Sequence, residues 1–365
     1  MENELIIPGM VLAVVAVFLL SLLLLPKMRD FIPYLYLNAR IAVKEGRLIK
    51  PNLYQEMVSA HSVSEVVTLL QGTSYSVALQ GVVVEKKGSV ESVILDEMAL
   101  LYGELRNIMP ERLKNSFAFL NRLWDVKNIK SAIRGLQEPN RKPNLQPFGE
   151  LPEEILRRMA ESDDQELLLS LLSGTKYAFL KDYFQNEEDP TGWEDLLDKN
   201  VLEQSWNEVL SEKQFAVLIP YFAAKIDAKN ILLLLRGKNA EIEWNELQKK
   251  CIQGGESSSL EKKYEMATNI EELIETFRDM NCYEFLSPSL SDYKNSGELF
   301  LLEKALKEYV LKVGRDTSRL HPYGVAPIAG FLARKEVEAE NVRLIVKGKD
   351  AGFSPEEINE FLIKV

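Results

Sequence analysis

Three basic residues recur at matching positions in this chain and could bind an acidic partner. They are Arg134, Arg236 and Lys347, and each is directly followed by glycine. Their charged groups donate strong hydrogen bonds to carboxylates and phosphates. The same pair also serves as an ordinary helix end, because a cation stabilises the last turn and glycine can adopt the left-handed conformation that closes it. The sequence favours this second role.

Residues suited to catalysis or metal binding are scarce. The 365 residues include two cysteines, Cys251 and Cys282, and two histidines, His61 and His321. The cysteines are far apart, and neither histidine has a second ligand at helical or loop spacing. Phosphate-loop, dinucleotide-binding and nucleophile-elbow motifs are missing, and Gly254-Gly255 reads as a linker. We therefore expect no catalytic residue, no cofactor, no metal and no disulfide framework.

The net charge of −11 argues against a nucleic-acid partner, which would need a basic surface. An acidic helical body instead suits protein partners with basic loops or helices. We expect neither nucleic acid nor a small-molecule substrate.

The basic-glycine pair belongs to a longer pattern that occurs three times. Each copy has an acid, an asparagine three residues later, an aliphatic residue, and then the basic residue and glycine at fixed offsets. The acid and asparagine positions are Asp125 and Asn128, Asp227 and Asn230, and Glu338 and Asn341. The chain is therefore a threefold internal repeat.

A second motif, Leu-Leu-x-Gly-Thr-x-Tyr, precedes the first two copies and ends at Tyr75 and Tyr177. Its two copies are 102 positions apart (177 − 75), as are Asn128 and Asn230 (230 − 128). A degraded third copy lies at Phe277–Tyr283. Thr73 or Ser74 could cap the next helix, and Tyr75 would pack into that junction; we interpret both Tyr75 and Tyr177 as structural.

The coarse structure is all-α and more than half helical. Asp125–Gly135 is predicted to end a helix, and Val63–Leu70 to form one that Gly72 ends. A capping box at Ser354 begins a final helix that runs to Val365. Only Val82–Gly88 has a strand-like composition, and it is too short to build a sheet.

The linkers suggest five segments. The Pro-rich stretch 139–152 and the loop Cys251–Ser259 separate the repeats. We assign residues 1–30 to a membrane helix with its flank, 31–138 to repeat 1, 139–152 to a linker, 153–250 to repeat 2 and 251–365 to repeat 3.

The stretch from Leu5 to Leu25 contains no charged residue. As a helix its twenty-one residues would measure roughly 32 Å, close to the thickness of a bilayer core. Lys27 and Arg29 follow it, which places the body in the cytoplasm and the short N-terminus outside the cell membrane. A start at Met28 is the alternative. No carboxylate lies within the stretch, so it would anchor the chain and not conduct ions.

These motifs resemble the C subunit of the archaeal-type (A-type, also bacterial V-type) ATP synthase, whose counterpart in the vacuolar ATPase is the d subunit. The resemblance is carried by both repeated motifs, by Tyr36-Leu-Asn38-Ala-Arg40, and by Gly324–Lys349. It runs from about Pro33 to the C-terminus.

The resemblance implies three similar helical units around a pseudo-threefold axis, which form a funnel. In the family the funnel sits on the cytoplasmic face of the proteolipid ring and receives the central axle. It implies a non-catalytic rotor subunit that joins axle and ring for ion transport and ATP synthesis. Arg134, Arg236 and Lys347 become possible axle or ring contacts, and the N-terminal membrane helix departs from the family pattern. Whether protons or sodium ions are carried is decided on another chain.

A membrane-anchored helical-repeat scaffold for other cytoplasmic partners is the alternative. It would predict an open array of repeats with atypical ends.

Overall fold

The computed structural model describes residue 32 and residues 34–80, 89–109, 118–137, 143, 145–186, 192–256 and 259–364. Within these ranges the regular structure is helical and no strand occurs, which confirms the all-α prediction. None of the helices described there is long and apolar enough to cross a membrane. The predicted span at 5–25 and the strand-like stretch at 82–88 lie outside the described residues.

Two long helices end the first and second thirds of the chain, and shorter helices precede them. The first third contains α1 over residues 34–45, α2 Pro51–Ser59, α3 Val63–Leu70, α4 Ser89–Ile108 and α5 Ala118–Gln137. The second contains α6 Glu153–Glu161, α7 Gln165–Leu172, α8 Phe179–Asn186, α9 Trp193–Ser211 and α10 Ile219–Asn239.

The last third has the same order of short and long helices with additions. It contains α11 Trp244–Lys250, α12 Leu260–Met266, α13 Ile270–Glu275, α14 Tyr283–Ser296, α15 Leu299–Leu320, α16 Ala326–Asp350 and α17 Pro355–Phe361. The three helices that carry the repeated asparagines are α5, α10 and α16.

Corresponding short helices begin in the same way. The side chains of Ser62, Asp164 and Asn269 cap α3, α7 and α13, and each accepts a hydrogen bond from the backbone N–H three residues later. Such caps satisfy an otherwise unpaired donor at the helix start. The predicted helix Val63–Leu70 has these bounds in the structure, and Thr73 caps the 3-10 turn that contains Tyr75.

The prediction for the basic-glycine pair is confirmed for the cation, which lies in the last turn of each long helix, but it is wrong for the glycine, which does not end the helix. α5 continues to Gln137, α10 to Asn239 and α16 to Asp350, so the glycines lie inside the helices. A Cβ atom on Gly237 would lie 2.4 Å from Leu247 Cδ1, and one on Gly348 would lie 2.7 Å from Ile358 Cγ1. These glycines instead allow α11 and α17 to pack closely against the long helices.

The final helix also ends earlier than predicted, at Phe361. The predicted capping box at Ser354 is present. The chain then extends through Leu362, because the backbone of Ile363 is hydrogen-bonded to Asn341 on α16.

The first and last thirds of the chain share one hydrophobic core. Tyr54 and Leu70 from the first third lie in the same buried cluster as Val342 and Ile358 from the last third. The cluster is continuous across the contact between α2 and α17. The first and last thirds of the chain are therefore packed together.

Candidate functional site

The three repeated asparagines make the same pair of hydrogen bonds. Each amide nitrogen donates to a backbone carbonyl and each amide oxygen accepts from the N–H of that same residue. The bonded residues are Gln146 for Asn128, Ile252 for Asn230 and Ile363 for Asn341, at distances of 2.7 to 2.9 Å. Each asparagine is almost completely buried. This pairing requires a side chain that both donates and accepts, which explains the choice of asparagine over aspartate.

The acid one turn before each asparagine binds a backbone segment from elsewhere in the chain. Asp125 accepts hydrogen bonds from the N–H groups of Glu150 and Leu151. Asp227 accepts one from Glu256, and Glu338 accepts one of 2.6 Å from Ile49. Burial raises the pKa of Asp125, although these hydrogen bonds oppose the shift.

Glycines allow this backbone to approach the acids. A Cβ atom on Gly149 would lie 1.7 Å from Asp125 Oδ1, and one on Gly255 would lie 2.3 Å from Asp227 Oδ1. Gly255 also has a φ of +82°, which favours glycine. The diglycine is therefore more than a linker, since its backbone forms part of the acid's environment.

The motif tyrosines lie next to acids of a different repeat. The Tyr177 hydroxyl donates a 2.9 Å hydrogen bond to Asp125. Tyr75 is fully buried, and its pKa is raised by burial and by Glu338. In the degraded copy, burial and then Asp227 raise the pKa of Cys282 to about 12. Both tyrosines thus pack at junctions, as the structural interpretation requires.

A cavity of about 400 Å³ lies between α5, α10 and α16, with α9 and α15 completing its wall. The three helices contribute the residue two positions before the repeated acid, which is Leu123, Lys225 or Glu336. Most other lining residues are aliphatic, including Val126 and Leu232. Each of the three long helices therefore forms part of the cavity wall, and each does so with the same position of the repeated motif.

Charged side chains that line this cavity form ion pairs. Lys225 Nζ lies 3.5 Å from Glu336. Burial lowers the pKa of Lys225, but Glu336 and Tyr221 together outweigh burial and leave that pKa above its usual value. Asp198 lies between Lys130 and Lys229, at 2.7 and 3.1 Å. The site therefore combines an apolar wall with paired charges.

Such a cavity is suited to binding a polypeptide. Aliphatic walls supply packing area, and charged groups at the edge set orientation. Among the residues that the structure describes, no cluster of His, Cys, Asp and Glu has the arrangement of a metal site.

The predicted basic residues occupy three separate positions. Arg134 forms two hydrogen bonds with Glu194 on α9, at 2.7 and 2.5 Å. Arg236 binds Glu303, a cavity residue on α15, at 2.9 Å. Lys347 is exposed on α16. The first two join neighbouring parts of the chain and retain more than half of their side-chain exposure.

Lys225 and Glu336 were not predicted from the sequence. They share one repeat position, but the first copy has leucine there, so the position reads as variable. Lys335 was not predicted either, although it is a buried lysine whose ammonium group contacts Glu97, Glu338 and Ser74 at 2.7 to 2.9 Å. For Lys225 and Glu336, the one signal in the sequence was that each lies two positions before a repeated acid.

Known proteins resemble this chain along most of its length. The family model for the ATP synthase (C/AC39) subunit matches residues 37–361. An A-type ATP synthase C subunit from Methanocaldococcus jannaschii is 32% identical over 349 residues, covering 92% of this chain and 88% of that protein. The same-named protein from Methanobrevibacter smithii is 26% identical over 378 residues, covering 100% and 97%. One from Thermococcus gammatolerans is 27% identical over 346 residues, covering 92% and 91%.

Proposed function

Because the chain belongs to the ATP synthase (C/AC39) subunit family, we propose that it is a non-catalytic rotor subunit of a membrane ATP synthase. In this role it joins the central axle to the proteolipid ring and turns with both. The cavity between α5, α10 and α16 is the observation that carries the proposal, since corresponding positions of three repeats line it.

We further propose that three units surround a pseudo-threefold axis as a funnel, with units at 31–138, 153–250 and 251–365. The order of contacts supports a closed arrangement. Asp125 of the first unit accepts a hydrogen bond from Tyr177 of the second, Asp227 of the second accepts one from Glu256 of the third, and Glu338 of the third accepts one from Ile49 of the first. Ile49 lies 102 positions before Leu151, which binds the first acid (151 − 49). Each acid thus contacts the following unit in a cycle.

This closure disfavours the scaffold alternative. An open array would leave the acid of its last repeat without a following unit, whereas here Glu338 binds the first unit. A closed, well-packed body is also stiff, as torque transmission requires.

The cavity is the proposed socket for the lower end of the axle. Its aliphatic residues would pack around an apolar helix tip, while Asp198, Lys229 and Glu303 at its wall would orient charged flanks. Arg134, Arg236 and Lys347 remain proposed axle or ring contacts.

Crosslinking tests the socket. Cysteine at Ala228, a cavity residue, should crosslink to an axle subunit in native membranes. Cysteine at Gly174, an exposed position, should not. Equal crosslinking at both positions, or crosslinks only to other proteins, would contradict the socket.

Residues 5–25 are proposed to cross the membrane and to enter the central opening of the ring, with the body in the cytoplasm. A helix outside the ring would collide with the static ion-channel subunit during rotation. Cysteines at Leu12 or Leu19 should therefore crosslink to the inner helix of the proteolipid. Crosslinks to outer-facing or stator positions alone would exclude this location.

Affinity purification tests the assembly itself. The full chain, tagged at its C-terminus, is extracted from native membranes in mild detergent and its partners are identified by mass spectrometry. We expect the catalytic hexamer, the axle and the proteolipid. Recovery of other partners without ATP synthase subunits would overturn the rotor assignment and favour the scaffold.

A further inference from the structure

Helix α1 has two apolar faces, and the protein body covers one of them. Tyr34, Leu37 and Ile41 are buried in the main core. Leu35, Tyr36 and Val43 are 52%, 61% and 57% exposed, and Ala39 beside them is exposed as well. We call these four exposed residues the α1 stripe.

The two faces lie on opposite sides of the helix. At about 100° per residue, the α1 stripe spans roughly 100° and is centred about 180° from the three buried residues. A surface helix normally presents polar residues on this outer side. Over residues 34–45 the charged residues are Arg40, Lys44 and Glu45, and none lies within the stripe. The stripe therefore has the composition of a face that is covered.

The position of α1 in the chain indicates what covers it. The apolar stretch 5–25 ends seven residues before Ile32, which is itself 57% exposed. Even a fully extended connection of this length spans no more than about 25 Å. If residues 5–25 cross the membrane, α1 must begin close to its cytoplasmic surface.

The charges near α1 fit a membrane surface. Lys27 and Arg29 lie in the connection, and Arg40 is exposed at the edge of the stripe next to Tyr36. Arg47 and Lys50 are exposed just beyond the helix. Interfacial helices have this composition, with tyrosine and basic side chains at the level of the lipid headgroups.

We propose that α1 is an interfacial helix whose stripe packs against membrane lipid at the boundary between headgroups and acyl chains. The proposal rests on the membrane span proposed above and does not require assembly with other subunits. It gives the body a second membrane contact beside the span and fixes which end of the body faces the membrane.

A depth measurement on the full chain tests this. The protein is reconstituted into nanodiscs that contain anionic and zwitterionic lipid, some of it carrying a nitroxide near the headgroup. An environment-sensitive NBD dye is attached at Leu35→Cys or, separately, at Val43→Cys. The unsubstituted chain supplies the background, because Cys251 and Cys282 are both buried.

Met266→Cys is the matched control, since Met266 is 67% exposed at the other end of the body. Ala267, which follows Met266, accepts a hydrogen bond from Lys238 near the end of α10. Tyr34 of α1 is hydrogen-bonded to Gln214, just before the start of α10. The twenty-one residues of α10 separate these points by roughly 30 Å. The control site should therefore lie well away from the bilayer.

We expect blue-shifted emission and nitroxide quenching at Leu35 and Val43, and neither at Met266. Water-like, unquenched emission at both stripe positions would overturn the proposal, as would equal quenching at Met266. Shielding that appears only in the assembled ATP synthase, without lipid quenching, would assign the stripe to a protein partner and also overturn it.

The outcomes separate the two proposals. Failure of the chain to enter nanodiscs would exclude the span and the α1 proposal together. A lipid-quenched stripe combined with a purification that recovers no ATP synthase subunits would leave α1 at the membrane and reject the rotor.

Discussion

Single buried side chains hold this fold together by binding backbone at a distance in sequence. Asn128, Asn230 and Asn341 each fix a segment 18 or 22 residues further along the chain. A buried amide without such a partner would be costly, so these bonds specify one arrangement of helix and following segment. The three repeated asparagines are therefore structural residues.

Asp198 should make the stability of the chain depend on pH in the acidic range. Burial raises its pKa, but Lys229 and Lys130 outweigh burial and hold the pKa below its usual value. The stabilisation is therefore present above the unfolded-state pKa of about 4 and is lost as pH falls through the lower folded-state value. Asp198→Asn should lower the free energy of unfolding by about 1–3 kcal/mol at neutral pH.

Urea unfolding of both chains at several pH values checks this prediction. The difference between them should shrink below about pH 4. The exposed Asp195→Asn serves as the control and should change little. A difference that stays constant down to acid denaturation would contradict the ion-pair assignment.

Close contacts between helices depend on glycines that the sequence alone presents as helix ends. Gly237 and Gly348 lie where a short helix crosses a long one, and each faces an aliphatic side chain of the short helix. Two of the long helices are instead followed by a residue in the left-handed conformation. This residue is Glu241 after α10, with a φ of +54°, and Gly352 after α16, with a φ of +78°.

Gly237→Ala should destabilise the packing of α11 on α10. Its new methyl group would lie 2.4 Å from Leu247 Cδ1, which forces a displacement. Overpacking of this kind costs about 1–3 kcal/mol. Gly174→Ala is the matched control, since no atom lies within 4 Å of the added Cβ. Urea unfolding that ranks the two variants equally would contradict this account.

Glu241→Gly should stabilise the chain. A non-glycine residue in the left-handed conformation costs about 1–2 kcal/mol, and glycine at that position removes this cost. Glycine also has greater freedom in the unfolded state, which offsets part of the gain. We expect a net gain of about 0.5–1 kcal/mol in the free energy of unfolding. Glu246→Gly, within helix α11, should instead lose about 1 kcal/mol. Destabilisation by both variants would argue against strain at Glu241.

At the scale of the whole molecule, the first and last thirds of the chain meet through buried charges. Lys335 lies between Glu97 and Glu338, and Glu338 also binds the backbone of Ile49. Lys335 Nζ lies 4.4 Å from the centre of the Tyr75 ring. This cluster joins the last unit to the first.

Lys335→Ala should open this junction, because it leaves Glu97 and Glu338 buried without their counter-charge. Breaking a buried pair in this way costs about 3–5 kcal/mol. Lys312→Ala, which removes an exposed pair with Glu284, should cost less than about 1 kcal/mol. Urea unfolding measures both, and limited proteolysis near residues 46–50 should accelerate in Lys335→Ala alone. Unchanged proteolysis there would indicate that apolar packing closes the junction by itself.

The sequence by itself determined the helical class, the family resemblance, the α3 helix and the capping box at Ser354. These follow from local spacing and capping, which act over a few residues and need no knowledge of partners. The internal repeat led to the residues Asp125, Asn128 and their copies, because shared offsets are visible in one dimension.

Only the tertiary structure decided what those residues do. That Asn341 binds Ile363, that Glu338 binds Ile49, and that Lys225 meets Glu336 depends on which distant segments come together. The glycines were misread for the same reason, since a close helix crossing and a helix end both select glycine. Local pattern cannot distinguish the two causes, because the deciding contact comes from another part of the chain.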